Sequence, residues 1–305
     1  MEPLFARGEL VSGQYEIREL LGRGSMGEVF DAHDLDLNRR VALKAAFPHI
    51  DRALTRKEAQ GLAAVRHHGV TAVYAIGEHR DVPYFVMERL LGESLTSRIE
   101  SRQMEGELFT VGEALDVLIP LAETLAAVHA AGIAHRDVKP ANVMITVGDR
   151  VVLTDFGIVA EERAVLPGMP VVGTFEYMAP EVIRGVVEPG NAYLADVYAF
   201  GVIAYELIAG RRPFEAETVK GVLEMHLRDE PDSLTLLRDD IPPLVETIVS
   251  EMLQKDPLDR PHAMGSVARR LRDPAMRSRT AMRSSPPEGV RITLPPPPMR
   301  RRLVG

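Results

Sequence analysis

The chain has 305 residues, of which 46% are hydrophobic, enough for a sizeable core and too many for a disordered chain. It contains no cysteine, which excludes disulfides and thiolate metal sites, and its formal net charge of −8 disfavours nucleic acid as a main partner. Residues 1–7 lack a basic stretch followed by an apolar run, so no signal peptide is expected. The most apolar stretches, 115–134 and 197–210, are interrupted by Asp116, Glu123 and Glu206 and read as buried helices, so no membrane span and a cytoplasmic location are expected.

Residues 15–21 alternate apolar and polar side chains, as a half-buried strand does. Gly22-Arg23-Gly24-Ser25-Met26-Gly27 follows, and a second strand pattern runs from Glu28 to about Asp34. A glycine loop followed by a strand rather than a helix argues against a dinucleotide-binding loop. It favours a hairpin whose glycines let backbone N–H groups approach phosphates. Arg40-Val41-Ala42-Leu43-Lys44 is the next strand, and a lysine in an apolar strand is costly to bury without a partner. Residues 52–66 have helical spacing, with Leu54, Leu62 and Val65 on the apolar face and Glu58 within the helix. Residues 70–78 and 83–88 read as strands joined by a turn at His79-Arg80-Asp81.

A short helix over 94–102 and a long one over 111–131 come next. The long one has Leu115, Leu118, Leu121, Leu125 and Val128 at helix spacing and Gly132 as its stop. The chain then reads His135-Arg136-Asp137-Val138-Lys139-Pro140-Ala141-Asn142, a small hairpin from 143–146 and 151–153, and Asp155-Phe156-Gly157. The hairpin carries Asn142 and Asp155 at its two ends, which lets residues apart in sequence serve the same metals. Phosphoryl transfer needs such a set: a base near the attacking hydroxyl, a cation near the moving phosphate, and oxygen ligands for Mg²⁺. A loop-like stretch leads to Gly173-Thr174-Phe175-Glu176-Tyr177-Met178-Ala179-Pro180-Glu181. Ala195-Asp196-Val197-Tyr198-Ala199-Phe200-Gly201 and Asp256-Pro257-Leu258-Asp259-Arg260-Pro261 follow, among helices over 218–228, 244–254 and 262–272. From residue 274 the composition turns to Arg, Ser and Pro, with seven arginines against Glu288 alone.

Together these motifs resemble those of the bacterial eukaryotic-type (Hanks-type) serine/threonine protein kinases, over roughly residues 15–272. The resemblance implies an α+β, bilobal protein-kinase-like fold. A small antiparallel β lobe with one main helix spans about 15–88, and a larger, mainly α-helical lobe spans about 91–272. An N-terminal extension, 1–14, would precede them and an Arg/Pro-rich flexible tail, 273–305, would follow. It implies ATP and Mg²⁺ (or Mn²⁺) as cofactors and proteins bearing Ser or Thr as substrates. Asp137 would be the catalytic base, Lys139 would neutralise the γ-phosphoryl group, and Asn142 and Asp155 would hold the metal. Lys44 would position the α/β-phosphates, aimed by Glu58. The nucleotide would lie against Gly22, Arg23, Gly24, Ser25, Met26, Gly27, Val29, Ala42, Lys44 and Met144, with the backbone of Glu88 and Leu90 at the adenine and Met87 as gatekeeper. Asp196 would brace the catalytic loop, and Glu181 would pair with Arg260. Two alternatives are a catalytically weak pseudokinase scaffold and a small-molecule phosphotransferase of similar fold. Between Gly157 and Gly173 there is no Ser, Thr or Tyr, so activity is expected not to depend on phosphorylation of that loop, with Glu161 or Glu162 serving Arg136 instead.

Overall fold

A computed structural model describes residues 2–156, 175–188, 190–273 and 275. The chain opens with β1 (Leu10–Val11), β2 (Tyr15–Arg23), β3 (Gly27–Asp34) and β4 (Arg39–Ala46), then α1 (Arg52–Ala64), β5 (Val73–His79) and β6 (Val82–Met87). The six strands form one antiparallel sheet in the order β1-β2-β3-β4-β6-β5. Its core gathers Phe5, Tyr15, Ile17, Phe30, Val41, Leu43, Tyr84 and Val86. Residues 2–14, read from sequence as an extension, thus join this lobe: Phe5 and Val11 are buried in its core and β1 pairs with β2. The alternation of β2 holds only through Ile17, because register shifts after Ile17 and after Leu20 turn Leu20 and Leu21 outward. The strand expected from residue 70 begins at Val73. Val70 instead bridges to Leu153, in parallel, and so ties the two lobes together.

The second lobe contains β7 (Gly92–Ser94), α2 (Leu95–Glu105), α3 (Val111–Ala130), β8 (Val143–Thr146) and β9 (Val151–Leu153). It continues with α4 (Pro180–Arg184), α5 (Tyr193–Ala209), α6 (Val219–Arg228), α7 (Leu234–Leu237), α8 (Pro243–Met252) and α9 (Met264–Leu271). Thr110 starts α3 through a capping box with Glu113, its hydroxyl accepting from the Glu113 N–H while the Glu113 carboxylate accepts from the Thr110 N–H. Helices α3, α5, α8 and α9 bury one continuous apolar core that includes Leu118, Leu125, Phe200, Ile203, Ile248 and Val267. Fourteen of the seventeen residues of α5 are buried, so it is the central helix of this lobe. Among the described residues no helix is long and apolar enough to cross a membrane.

Candidate active site

The small lobe supplies the first charged set. Register places Val29 of β3 opposite Lys44 of β4, so the lysine lies beside the glycine-rich hairpin. A side chain at Gly27 would run into the Ala45 carbonyl, whereas one at Gly22 would meet open space and one at Gly24 would lie at ordinary contact distance from the Gly27 carbonyl. Helix α1, capped by Asp51, turns Glu58 inward, and Glu58 Oε1 lies 2.6 Å from Lys44 Nζ. Asp155 Oδ1 reaches the same ammonium from the other lobe at 2.5 Å. One cation therefore serves two carboxylates. Burial would lower the Lys44 pKa, but Asp155 and Glu58 outweigh it and hold it above the ordinary lysine value. Burial pushes Glu58 up, with Lys44 offsetting only part of the cost. The cleft walls would raise Asp155 as well, but there Lys44 prevails and holds it below the usual carboxylate range.

The second set lies on the loop after α3. Asp137 Oδ2 receives Lys139 Nζ at 2.8 Å and Asn142 Nδ2 at 2.8 Å, and the same amide nitrogen donates to the Asp137 carbonyl. The Asn142 carbonyl accepts the N–H and the hydroxyl of Thr154, at 2.9 and 3.2 Å, so Asp155 emerges beside Asn142. Arg136 and Asp155 both have positive φ, 67° and 53°, a costly conformation for residues with a side chain. Buried Asp196 of α5 holds the loop in place by accepting the N–H groups of His135 and Arg136, each at 2.7 Å. His129 of α3 contacts the same carboxylate at 2.8 Å, a partner that sequence reading missed. Buried Arg260 donates both ends of its guanidinium to Glu181, at 2.7 and 2.8 Å, as expected from the sequence. It also donates to the carbonyls of Gln254, Leu194 and Lys255, which satisfies a charge that would otherwise be expensive to bury.

Between the lobes run Glu88, Arg89, Leu90 and Leu91. The Glu88 N–H is spent on the Ala72 carbonyl at 2.8 Å, and the Leu90 carbonyl accepts from Arg89. Ala42 pairs in register with Met87 on the roof, and Met144 sits on β8 of the floor. Two ion pairs here carry no sequence signal, because the partners lie about sixty residues apart. Glu88 pairs with Arg150 of the β8–β9 turn, and Arg89 pairs with buried Asp31 of β3 at 3.2 Å. Gly157, Gly173, Thr174 and the expected Arg136 partners Glu161 and Glu162 lie outside the described residues, as does the chain beyond residue 275.

The donor set suits a small hard cation. With the Asn142 nitrogen engaged, its Oδ1 is left as an oxygen donor, and Asn142 pairs through its backbone with Thr154, next to Asp155, whose side chain is 42% exposed. Mg²⁺ is commonly held by one or two carboxylates completed by substrate phosphates, so these residues fit it. A curled β lobe and a helical lobe that bring two such charged sets to one cleft define the bilobal kinase-like class. The match to known proteins is narrower: the family model described as the protein kinase domain covers residues 15–270, and the chain belongs to that family. It is 37% identical over 269 residues to the probable serine/threonine-protein kinase PknB of Corynebacterium glutamicum, covering 82% of this chain and 40% of the relative. It is 35% identical over 273 residues to the serine/threonine-protein kinase PknA of Mycobacterium tuberculosis, covering 86% of this chain and 61% of the relative. With PrkC of Bacillus subtilis, also a serine/threonine-protein kinase, the identity is 32% over 260 residues, covering 83% and 39%. The chain spans less than two thirds of the length of these curated relatives.

Proposed function

We propose that this protein transfers the γ-phosphoryl group of ATP to Ser or Thr hydroxyls of proteins. The observation that carries the reading is the convergence of Lys44, Asp155, Asp137, Lys139 and Asn142 on one cleft. Asp137 has one carboxylate oxygen engaged by Lys139 and Asn142 and the other with no partner among the described residues, which suits it to orient an acceptor hydroxyl and take its proton. Lys139, held against Asp137, is placed to neutralise charge on the transferred group. Lys44 positions the phosphates and Glu58 positions Lys44. Asn142 and Asp155 would hold Mg²⁺ (or Mn²⁺), which supplies charge neutralisation at the phosphate oxygens. The carbonyl of Glu88, whose N–H is already used, is the group offered to an adenine edge. Serine/threonine selectivity is supported by the Asp137-Val138-Lys139-Pro140-Ala141-Asn142 form of the loop and by the named relatives. Nothing observed favours a pseudokinase, since Lys44, Asp137 and Asp155 are all present and mutually placed.

The test is transfer from γ-labelled ATP with Mg²⁺ to a generic basic protein, followed by identification of the labelled residue. Wild-type protein should yield phosphoserine or phosphothreonine. Asp137→Asn should lower the rate by roughly 10²–10⁴, the usual cost of losing a general base, with ATP affinity nearly unchanged. No transfer by the wild type, or near-normal turnover in the variant, would refute the reading.

A further inference from the structure

The segment ahead of β1 is fastened to the glycine-rich hairpin by a specific set of contacts. Glu28, immediately after Gly27, is fully buried, and its carboxylate has two donors. Arg23, the residue between Gly22 and Gly24, reaches Oε1 through Nε at 2.6 Å, and the backbone N–H of Leu4 reaches Oε2 at 2.7 Å. Arg23 and Glu28 are register partners across the β2–β3 hairpin, so their ion pair closes its neck. The Arg23 guanidinium also donates to the Glu2 carbonyl at 3.3 Å. The segment is anchored behind these bonds by Phe5, 1% exposed, whose ring centroid lies 5.6 Å from that of Phe30 and 5.8 Å from that of His79. Arg80 donates to the Leu4 carbonyl at 3.2 Å and stands over the Phe5 ring.

A buried carboxylate that loses a donor must hydrate or find another. Removing the Leu4 N–H from Glu28 therefore loosens the pair that holds the two strands of the phosphate-covering hairpin together. We infer that residues 2–5 form a strap that positions the glycine-rich hairpin over the nucleotide, with Leu4 and Phe5 as positioning residues that touch no substrate. The inference rests on the proposed ATP-dependent function. The strap sets how well the hairpin grips phosphates and leaves the acceptor side of the cleft alone, so it acts on nucleotide affinity rather than on turnover.

The experiment compares four full-length variants with wild type. Leu4→Pro removes the N–H, Leu4→Ala keeps it, Phe5→Ala removes the anchor, and Phe5→Leu retains most of it. Leu4→Pro and Phe5→Ala should raise the KM for ATP about tenfold, the worth of one hydrogen bond to a charged group, with kcat and the KM for a peptide substrate within about twofold. Leu4→Ala and Phe5→Leu should stay near wild type. Amide hydrogen exchange of residues 22–28 should quicken about tenfold in the first two variants, without a matching change in α3 or α5. An unchanged KM together with unchanged exchange in Leu4→Pro overturns the inference. So does an equal effect of Leu4→Ala, or a parallel fall in kcat and thermal stability. If the wild type binds no ATP, the functional reading fails by itself, and the exchange measurement still decides whether the strap holds the hairpin.

Discussion

Lys44 is one ammonium between two carboxylates, so the set carries a net negative charge and Glu58 bears the strain of burial. Lys44→Met would remove the cation between Glu58 and Asp155. Breaking a buried pair from one side costs about 3–5 kcal/mol, less whatever Glu58 recovers by taking up a proton. The double variant Lys44→Met/Glu58→Met should therefore regain at least half of the stability lost in Lys44→Met, although both lose phosphoryl transfer. Urea denaturation at pH 7 checks this, and a double variant no more stable than Lys44→Met would mean that Glu58 is not the stranded charge. At this scale the sequence is most legible where the chemistry is local. Asp137, Lys139 and Asn142 fall within six residues and Asp155 follows one hairpin later, so motif spacing finds them. His129, Asp31 and Arg150 each act on a residue that only folding brings near, and no periodicity marks them.

β4, α1 and α3 are long enough to show a period and appear within a few residues of expectation, whereas the β8–β9 hairpin, with strands of four and three residues, is legible from its place between Asn142 and Asp155. β1 and β7 have two and three residues and are set by their partners, so alternation has no room to show. Helix α6 carries a consequence that spacing alone does not reveal. His226 is fully buried and contacts the Tyr198 hydroxyl of α5 through Nδ1 at 2.9 Å, with its ring edge-on to Phe214 at 4.9 Å. Burial, with Lys255 and Arg212 nearby, lowers its pKa to about 4. The unfolded chain takes up this proton near pH 6.5 and the folded protein does not, so the stabilising difference is complete above pH 6.5. It drains away as pH falls towards 4, by about 3 kcal/mol in all. His226→Gln should flatten the fall in unfolding free energy between pH 6.5 and 4, measured by urea titration at several pH values. Identical slopes for variant and wild type would exclude His226 as the titrating group.

At the scale of the whole molecule, the segment that joins the two lobes carries a pair of adjacent ion-paired residues. Glu88 is tied to Arg150 of the large lobe, and Arg89 to Asp31 of the small one. Asp31 is fully buried, whereas the Arg150 and Glu88 side chains are about a third and a quarter exposed, so the two ties differ in worth. Arg89→Met should cost about 2 kcal/mol, because among the described residues Asp31 then keeps only Arg40 as an ion-pair partner, and Arg150→Met about 0.5 kcal/mol. Chemical denaturation of the two variants tests this, and equal costs would show that burial does not set the difference. The ties also cross. The earlier residue is bound to the later lobe and the later residue to the earlier lobe, as in a crossed-strap hinge, where two bands laced in opposite senses permit rotation about their crossing and resist sliding. The lobes should therefore swing about the peptide between Glu88 and Arg89 and should not shear past one another. On such a lever the base end of a nucleotide bound as proposed, near the crossing, would stay almost still, while the glycine-rich hairpin at the far end would sweep the widest arc.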